Sequence, residues 1–361
     1  MTTRRSLTAA DAGLLADLRN RFERAFAEGV ETSVSEAGEQ LTLTLDPARD
    51  TLALADGGVL VGAAFVGDHD EGDVVVDPGH PAAAEHWAVL LEWLERRPPR
   101  VVQVLDRDDA GRTAAAGRGW RHAYTAYDLE RDTAGLDAPA WPAGVAATTL
   151  DPDRDGPEIH ELVYRRSEWA AVPGHHDRPY PEWRRYLDLP TARPGLSVVA
   201  RADARAVGIA TVSVFSDGTG YVAQLAVDRD HRRRGLGRAL LLAALGRLTA
   251  AGASRLELSV MADNDGALSL YEGVGLAVTR RWLRLSAPGG RPAPAEGRSD
   301  PRSATRGVPD GGSRPGRDPE QEHGDGSAVG RGEIGTGRRA RPPSERQTPR
   351  WPTRPTRGDG Q

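Results

Sequence analysis

Apolar positions along the chain switch between two periods, and the switch occurs twice in the same order. In "LTAADAGLLADLRNRFERAF" (7–26), Leu14, Leu15, Leu18, Phe22 and Phe26 fall on one face of a 3.6-residue repeat, which predicts an amphipathic helix. Thr8 stands where an N-cap is expected, since a hydroxyl there can accept from an unpaired N–H of the first turn. Short β-type runs follow, "TLALAD", "VLVGAAFVG" and "GDVVVD", bounded by Gly, Asp and Pro. A helical stretch, the strand "RVVQVLD" and the closing segment "RHAYTAYDLE" complete this half. After "TAGLDAPAWPAGVAA" (133–147), whose Ala, Pro and Gly content marks a linker, the order repeats. A helix leads into "LSVVARAD", "AVGIATVSVF" and "GYVAQLAVD", then come a second helix, "RLELSVM" and "RRWLRLS". Strands and helices interleaved in this way predict α/β (α+β mixed sheet) architecture in each half.

The repetition reaches single residues. "VVVDPGHPAAAEH" (74–86) lies in register with "LAVDRDHRRRGLG" (225–237), sharing Val-Asp-x-x-His, and "AAAGRGWRHAY" resembles "LYEGVGLAVTR" around a Gly-x-Gly. A tandem duplication accounts for the shared element order and the shared punctuation. The expected parts are a first domain over 1–132, a linker over 133–147, a second domain over 148–285 and a tail over 286–361. That tail is rich in Gly, Pro, Arg, Asp and Ser, with isolated Ile334 and Trp351, and is expected to be disordered.

Composition narrows the chemistry. The 361 residues hold no cysteine, which excludes disulfides, thiol nucleophiles and an acyl-cysteine intermediate. They also hold no lysine, all 47 Lys+Arg residues being Arg, which removes a Walker A lysine and every lysine Schiff base. A net charge of -5 and the acidic residues interspersed in the tail argue against nucleic acid as a partner. The N-terminus lacks the apolar core of a signal peptide, and no apolar run approaches the roughly 20 residues of a membrane span. A cytoplasmic location and no membrane partner are the expectations.

The segment "DRDHRRRGLGRALLLAAL" carries the chemistry. A strand ending near Val227 runs into Arg232-Arg233-Arg234-Gly235-Leu236-Gly237, and a helix follows from about Arg238 to Ala251. On this helix Leu241, Leu245 and Leu248 share a face, Leu242 broadens it, and Gly252 supplies a stop. Glycines can turn backbone N–H groups toward one point, and a helix start adds unpaired donors and positive dipole, so the loop suits an anion. The plain alternative is a charged surface loop that uses glycine for turning. Leu240 occupies the third glycine position of a dinucleotide fingerprint, which favours a diphosphate over a dinucleotide. Downstream, Asn264, Ala267 and Tyr271 fall at helical spacing after a strand and would present one face to the same ligand.

The pair Arg232-x-x-Gly235-x-Gly237 and Asn264-x-x-Ala267-x-x-x-Tyr271 resembles the diphosphate and helix motifs of the GCN5-related N-acetyltransferases. The likeness covers about 148–285 well, 1–132 weakly and the tail not at all. It implies acetyl-CoA as cofactor, its diphosphate held by backbone N–H groups of Arg232, Arg233, Arg234, Gly235, Leu236, Gly237 and Arg238. It further implies that two parallel strands splay, so that pantetheine adds to the edge at Leu225, Ala226 and Val227. The Leu225 N–H would polarise the thioester carbonyl. Tyr271 would protonate the departing thiolate, and Asn264 would touch pantetheine or serve the structure. For Tyr271 the alternative is a ring buried in the core.

The reaction so implied moves an acetyl group to a primary amine of a small molecule or peptide, directly and within a ternary complex. An amine with pKa near 10.4 is only about 0.04 % neutral at pH 7, so a base is required. Many relatives carry a glutamate early on the strand before the diphosphate loop; here Tyr221 stands there, with Gln224 nearby. Other acceptor-side candidates are Glu168, His175, His176 and Asp177, in "SEWAAVPGHHDRPYPEW", where Trp169, Tyr180 and Trp183 would suit an apolar or cationic acceptor. The "HHD" run reads as substrate lining or plain loop ahead of a metal site, and no metal is expected. In the first half, Pro81, Ala84, His86, Asp108 and Ala115 replace Arg232, Gly235, Gly237, Asn264 and Tyr271, which marks a degenerate copy. The missing base leaves open a non-catalytic acyl-CoA-binding regulator or scaffold.

Overall fold

A computed structural model describes residues 2–26, 31–43, 46–66, 71–97, 101–167 and 178–289. Glu168, His175, His176, Asp177 and Trp169, and the tail from 290 onward, lie outside the described residues.

In the first half a short strand β1 (Thr3–Arg5) precedes helix α1 (Ala12–Phe26), then α2 (Val34–Leu43), a single turn α3 (Pro47–Asp50), and strands β2 (Thr51–Asp56), β3 (Val59–Val66) and β4 (Glu71–Val76). Helix α4 (Ala83–Glu95), strand β5 (Val101–Leu105), helix α5 (Asp109–Gly117) and strand β6 (Arg121–Asp132) follow. The second half runs β7 (Val145–Thr149), α6 (Pro152–Glu161) extended by a π-helical turn (Leu162–Arg166), α7 (Tyr180–Leu187), β8 (Val198–Ala202), β9 (Arg205–Val214) and β10 (Thr219–Val227). It closes with α8 (Leu236–Ala250), β11 (Arg255–Met261), α9 (Asp265–Glu272) and β12 (Ala277–Ser286). The sequence pattern does not mark β1 and β7, the two edge strands; β7 begins inside the stretch expected to be linker.

The described strands form one twelve-stranded mixed sheet in the order β1-β2-β3-β4-β5-β12-β6-β11-β10-β9-β8-β7. Each half therefore lends its last strand to the other. β12 pairs with β5 of the first half, from Trp282 against Leu105 to Ser286 against Val101, while β6 pairs with β11 of the second, from Arg255 against Asp132 to Met261 against Ala126.

Thr8 stands at the N-cap of the first turn, but its hydroxyl donates instead of accepting: Asp11 Oδ2 accepts from the Thr8 N–H at 2.8 Å and from its hydroxyl at 2.9 Å. Leu15, Leu18 and Phe22 are buried there, with Leu14 and Phe26 packed at the margin. α8 lies on the sheet with Leu241, Leu242, Leu245 and Leu248 buried. It comes close enough that a Cβ on Gly208 would stand 2.6 Å from Leu240 Cδ1 and one on Gly220 3.0 Å from Leu248 Cβ. Leu256, Leu258 and Val260 of β11 point to this face. The intervening Arg255, Glu257 and Ser259 point to the opposite face, as pleating requires.

That opposite face is flanked by α6 and α7 of the second half and by α1 and α2 of the first. α2 reaches across: Glu36 Oε1 accepts from the Ser216 N–H at 2.9 Å, and the Thr191 hydroxyl donates to Glu39 Oε2 at 2.7 Å. Burial pushes the Glu39 carboxyl up. Glu23 on α1 pairs with Arg280 on β12, both buried.

Candidate active site

Parallel pairing between β10 and β11 stops after three positions, Thr219 with Arg255, Gly220 with Leu256 and Tyr221 with Glu257. Beyond Tyr221 the strands part, and each keeps its other neighbour, β9 for β10 and β6 for β11. A bulge at Ala223 shifts the register with β9, so Tyr221 and Gln224 share the face opposite α8 although they are three apart in sequence. Asp228 donates its N–H to the Val207 carbonyl of β9 at 2.9 Å. Backbone groups alternate sides along a strand, so Val227 and Leu225 turn theirs to the other edge, into the splay.

The turn after β10 is fixed by Asp228. Its Oδ1 accepts from the Asp230 N–H at 3.1 Å, its carbonyl accepts from the His231 N–H at 2.9 Å, and its Oδ2 accepts from Arg166 Nη1 at 2.7 Å. His231 takes part in this turn through its backbone N–H, as His80 does in the first half. The backbone then turns through Arg233 at φ 58° and Gly235 at φ 81°; the second value is natural only to glycine, the first carries strain. The first helical bond of α8 is from Ala239 to the Gly235 carbonyl. Hence Leu236, Gly237 and Arg238 have no intrahelical acceptor, and no described group accepts from the Arg233, Arg234 or Gly235 N–H. The side chains of Arg233 and Arg234 are exposed and unpaired among the described residues. Gly237 has ordinary φ, and a Cβ there would meet only Leu270 at 3.5 Å and Val227 at 3.9 Å, both ordinary contacts. Nothing within the described chain demands glycine at 237.

The helix motif behaves differently from its sequence reading. Asn264 is the N-cap of α9, outside the helix at φ -88° and ψ 69°, and its Oδ1 accepts from the Ala267 N–H at 3.1 Å. Its carboxamide oxygen is occupied in holding the helix start, which corrects the expectation that it shares one helical face with Ala267 and Tyr271. Tyr271 is 9 % exposed, packed in the α8 core, and burial pushes its hydroxyl up to about 12. Arg238 ties α8 to α9, its Nη1 donating to the Gly273 carbonyl at 2.7 Å.

On the acceptor side, the Trp183 indole N–H donates to Gln224 Oε1 at 3.1 Å. Trp183 is buried with Tyr180 packed beside it, so these aromatics build the α6–α7 core; an open aromatic wall is not formed by them. Tyr221 is buried and donates its hydroxyl to Ser259 Oγ at 3.1 Å. Two residues escaped sequence reasoning. Arg166 clamps Asp228 through Nη1, and in the first half Arg21 clamps Asp77, its Nε donating to Oδ2 at 2.6 Å. Each arginine also reaches the second residue of the adjoining strand, Ala206 and Leu60 respectively, at its carbonyl.

Parallel strands that part and run into a turn and helix, present twice in one sheet, are the architecture of a tandem acyltransferase. The model of the acetyltransferase (GNAT) family matches residues 157–276, and the chain belongs to that family. A mycothiol acetyltransferase of Kineococcus radiotolerans is 32 % identical over 258 residues, 68 % of this chain and 84 % of that protein. Another, of Actinosynnema mirum, is 30 % identical over 275 residues, covering 72 % and 91 %. Among solved structures, a tandem GNAT protein from the clavulanic acid biosynthesis pathway aligns with TM-score 0.64 at 19 % identity, over 81 % of this chain and 99 % of that one. A GCN5-related N-acetyltransferase from Sphaerobacter thermophilus aligns with TM-score 0.64 at 22 % identity, over 79 % and 94 %. The protein is an acetyl-CoA-dependent acetyltransferase. Among the described residues no helix is long and apolar enough to cross a membrane.

Proposed function

We propose that the second half transfers acetyl from acetyl-CoA to a primary amine of a small molecule, with both substrates bound together. The row of unclaimed N–H groups from Arg233 to Arg238, beside a glycine that no described neighbour requires, carries this reading. The CoA diphosphate takes those donors, with Arg233 and Arg234 adding charge. Pantetheine lies along the free edge of β10 at Leu225, Ala226 and Val227, and the Leu225 N–H stabilises the oxyanion. Tyr271 keeps its proton at neutral pH. Because its hydroxyl lies well above a thiol near 8.5, it acts by hydrogen bonding the developing thiolate as much as by giving up its proton. The relatives' name favours a small-molecule acceptor over a peptide. With no cysteine in the 361 residues, transfer passes directly from thioester to amine.

CoA release with a panel of small amines tests this, and a thiol reagent sees only CoA because the chain has no thiol of its own. Tyr271→Phe is expected to lower kcat by about 10²-fold or more while leaving acetyl-CoA affinity within a few-fold. Equal turnover would remove Tyr271 from the chemistry. Tight acetyl-CoA binding without transfer to any amine would leave a binding protein instead of an enzyme.

A further inference from the structure

The proposed transfer needs a group to take a proton from the ammonium form of the acceptor, and no carboxylate stands at position 221. A connected path of hydrogen bonds does begin there. Tyr221 is the last residue of β10 paired with β11, so its ring stands at the vertex of the splay, on the face opposite α8. Its partner in the ladder is Glu257, yet its hydroxyl leans one step further and donates to Ser259 Oγ at 3.1 Å, across the first open position. Ser259 Oγ donates in turn to Asp128 Oδ1, and Asp128 is its register partner on β6. The other carboxylate oxygen, Oδ2, accepts the Trp282 indole N–H at 2.6 Å. An ionised carboxylate only accepts, so the direction is fixed: Asp128 receives from Ser259, and Ser259 receives from Tyr221.

We propose that Tyr221, Ser259 and Asp128 form a proton relay that replaces a single carboxylate base, with Tyr221 as the member that meets the acceptor amine. This rests on the amine-transfer reading above. An ammonium N–H proton passes to the Tyr221 oxygen as the Tyr221 proton passes to Ser259 and the Ser259 proton to Asp128. The freed nitrogen pair forms the C–N bond while the carbonyl π pair moves to oxygen. On collapse the C=O re-forms, the C–S bond breaks with its pair on sulfur, and the second nitrogen proton is lost as sulfur gains one. Asp128 is left neutral and returns its proton to solvent after product leaves.

The surroundings of Asp128 suit a group that gains and loses a proton. Glu130 on its own strand and Glu257 on β11 are acidic neighbours, and Glu257 is itself held well above the usual carboxylate range by burial, with Glu130 and Asp128 adding to it. Protonating Asp128 relieves that repulsion. Opposing it are Arg280, the register partner of Asp128 on β12 that is also paired with Glu23 of α1, and Arg255, which holds Glu257 and Asp217. Asp128 belongs to the strand that the first half lends to the second, so the degenerate half supplies the end of the relay.

The test is the pH dependence of kcat/KM for CoA release in the full chain, alongside acetyl-CoA affinity by calorimetry. Tyr221→Phe and Asp128→Asn are each expected to lower kcat/KM by about 10²-fold near pH 7, with acetyl-CoA affinity unchanged. The loss should shrink as pH rises toward the pKa of the amine itself, where free base no longer needs the relay. A loss of the same factor at every pH would mean a structural role and overturn the relay. Tyr221→Glu, which sets a carboxylate at the vertex, should recover rate over Tyr221→Phe even when Asp128 is also replaced by Asn. Tyr221→Phe turning over like the parent would overturn the relay alone, whereas a parent that binds acetyl-CoA and acetylates no amine would overturn the transfer reading and the relay with it.

Discussion

The turns after β4 and β10 begin alike and end differently. In both, an aspartate, Asp77 or Asp228, accepts through Oδ1 from the N–H two residues on, at 3.0 and 3.1 Å, and its carbonyl accepts from a histidine, His80 or His231. In both, an arginine from the first helical segment clamps that aspartate, and the parallel strand pair parts after a few residues, β4 from β5 after Gly72 as β10 from β11 after Tyr221. Past the histidine the halves diverge. In the first, Pro81 has no N–H, His80 Nδ1 takes the Ala82 N–H at 3.1 Å, and the His80 carbonyl takes that of Ala83 at 2.9 Å. The imidazole of His86 fills the place of Gly237, buried against His80 with ring centroids 4.5 Å apart, and burial pushes it down from its ordinary value. The features both halves keep are those that fold a strand into a helix. Those that only the second keeps are the ones the proposed diphosphate site uses.

The shared clamp should be the costliest to lose. Arg166→Met leaves Asp228, in a nearly buried site, only the more distant Arg205 Nη2 at 3.6 Å as a cationic partner, and is expected to cost about 3 kcal/mol, read from the denaturant midpoint. Arg21→Met, at a more exposed pair, should cost less and leave acetyl-CoA affinity unchanged. Equal effects on affinity would erase the distinction between folding and binding features. Next comes the cradle: Gly237→Glu places bulk and negative charge among the free donors and should weaken acetyl-CoA by about 100-fold or more in calorimetry, close to 3 kcal/mol. His86→Gly in the first half should not create a second site, because Pro81 still lacks a donor. The smallest effect concerns Tyr271, whose counterpart is Ala115. Its hydroxyl is raised from 10.0 to about 12, so its share of stability is whole below pH 10 and is lost as pH climbs toward 12. By pH 11 the parent should have lost about 1 kcal/mol more than Tyr271→Phe in urea melts.

Much of this molecule is legible from periodicity. The strands from β2 to β6 and from β8 to β12, the leucine face of α8 and the Val-Asp-x-x-His turn follow from local pattern. β1 and β7 are not legible, because as edge strands they carry mostly exposed side chains and no apolar alternation. Asn264 could have been read as a cap, since asparagine immediately before a helix favours that role over a place on its face. The clamping arginines lie 56 and 62 residues before their aspartates, and the Ser259–Asp128 bond spans 131, so no local signal announces them. The pairing of β12 with β5 depends on the order in which distant strands meet, which composition does not encode.

That pairing has a consequence for descent. Once β6 and β12 had traded places, the first half could vary in its loops but could not be discarded. A gene split between the halves would yield one product lacking its closing strand and another presenting it to no neighbour. The duplication therefore acts as a ratchet: topology alone holds each half in place, free to vary wherever it does not hold its twin together.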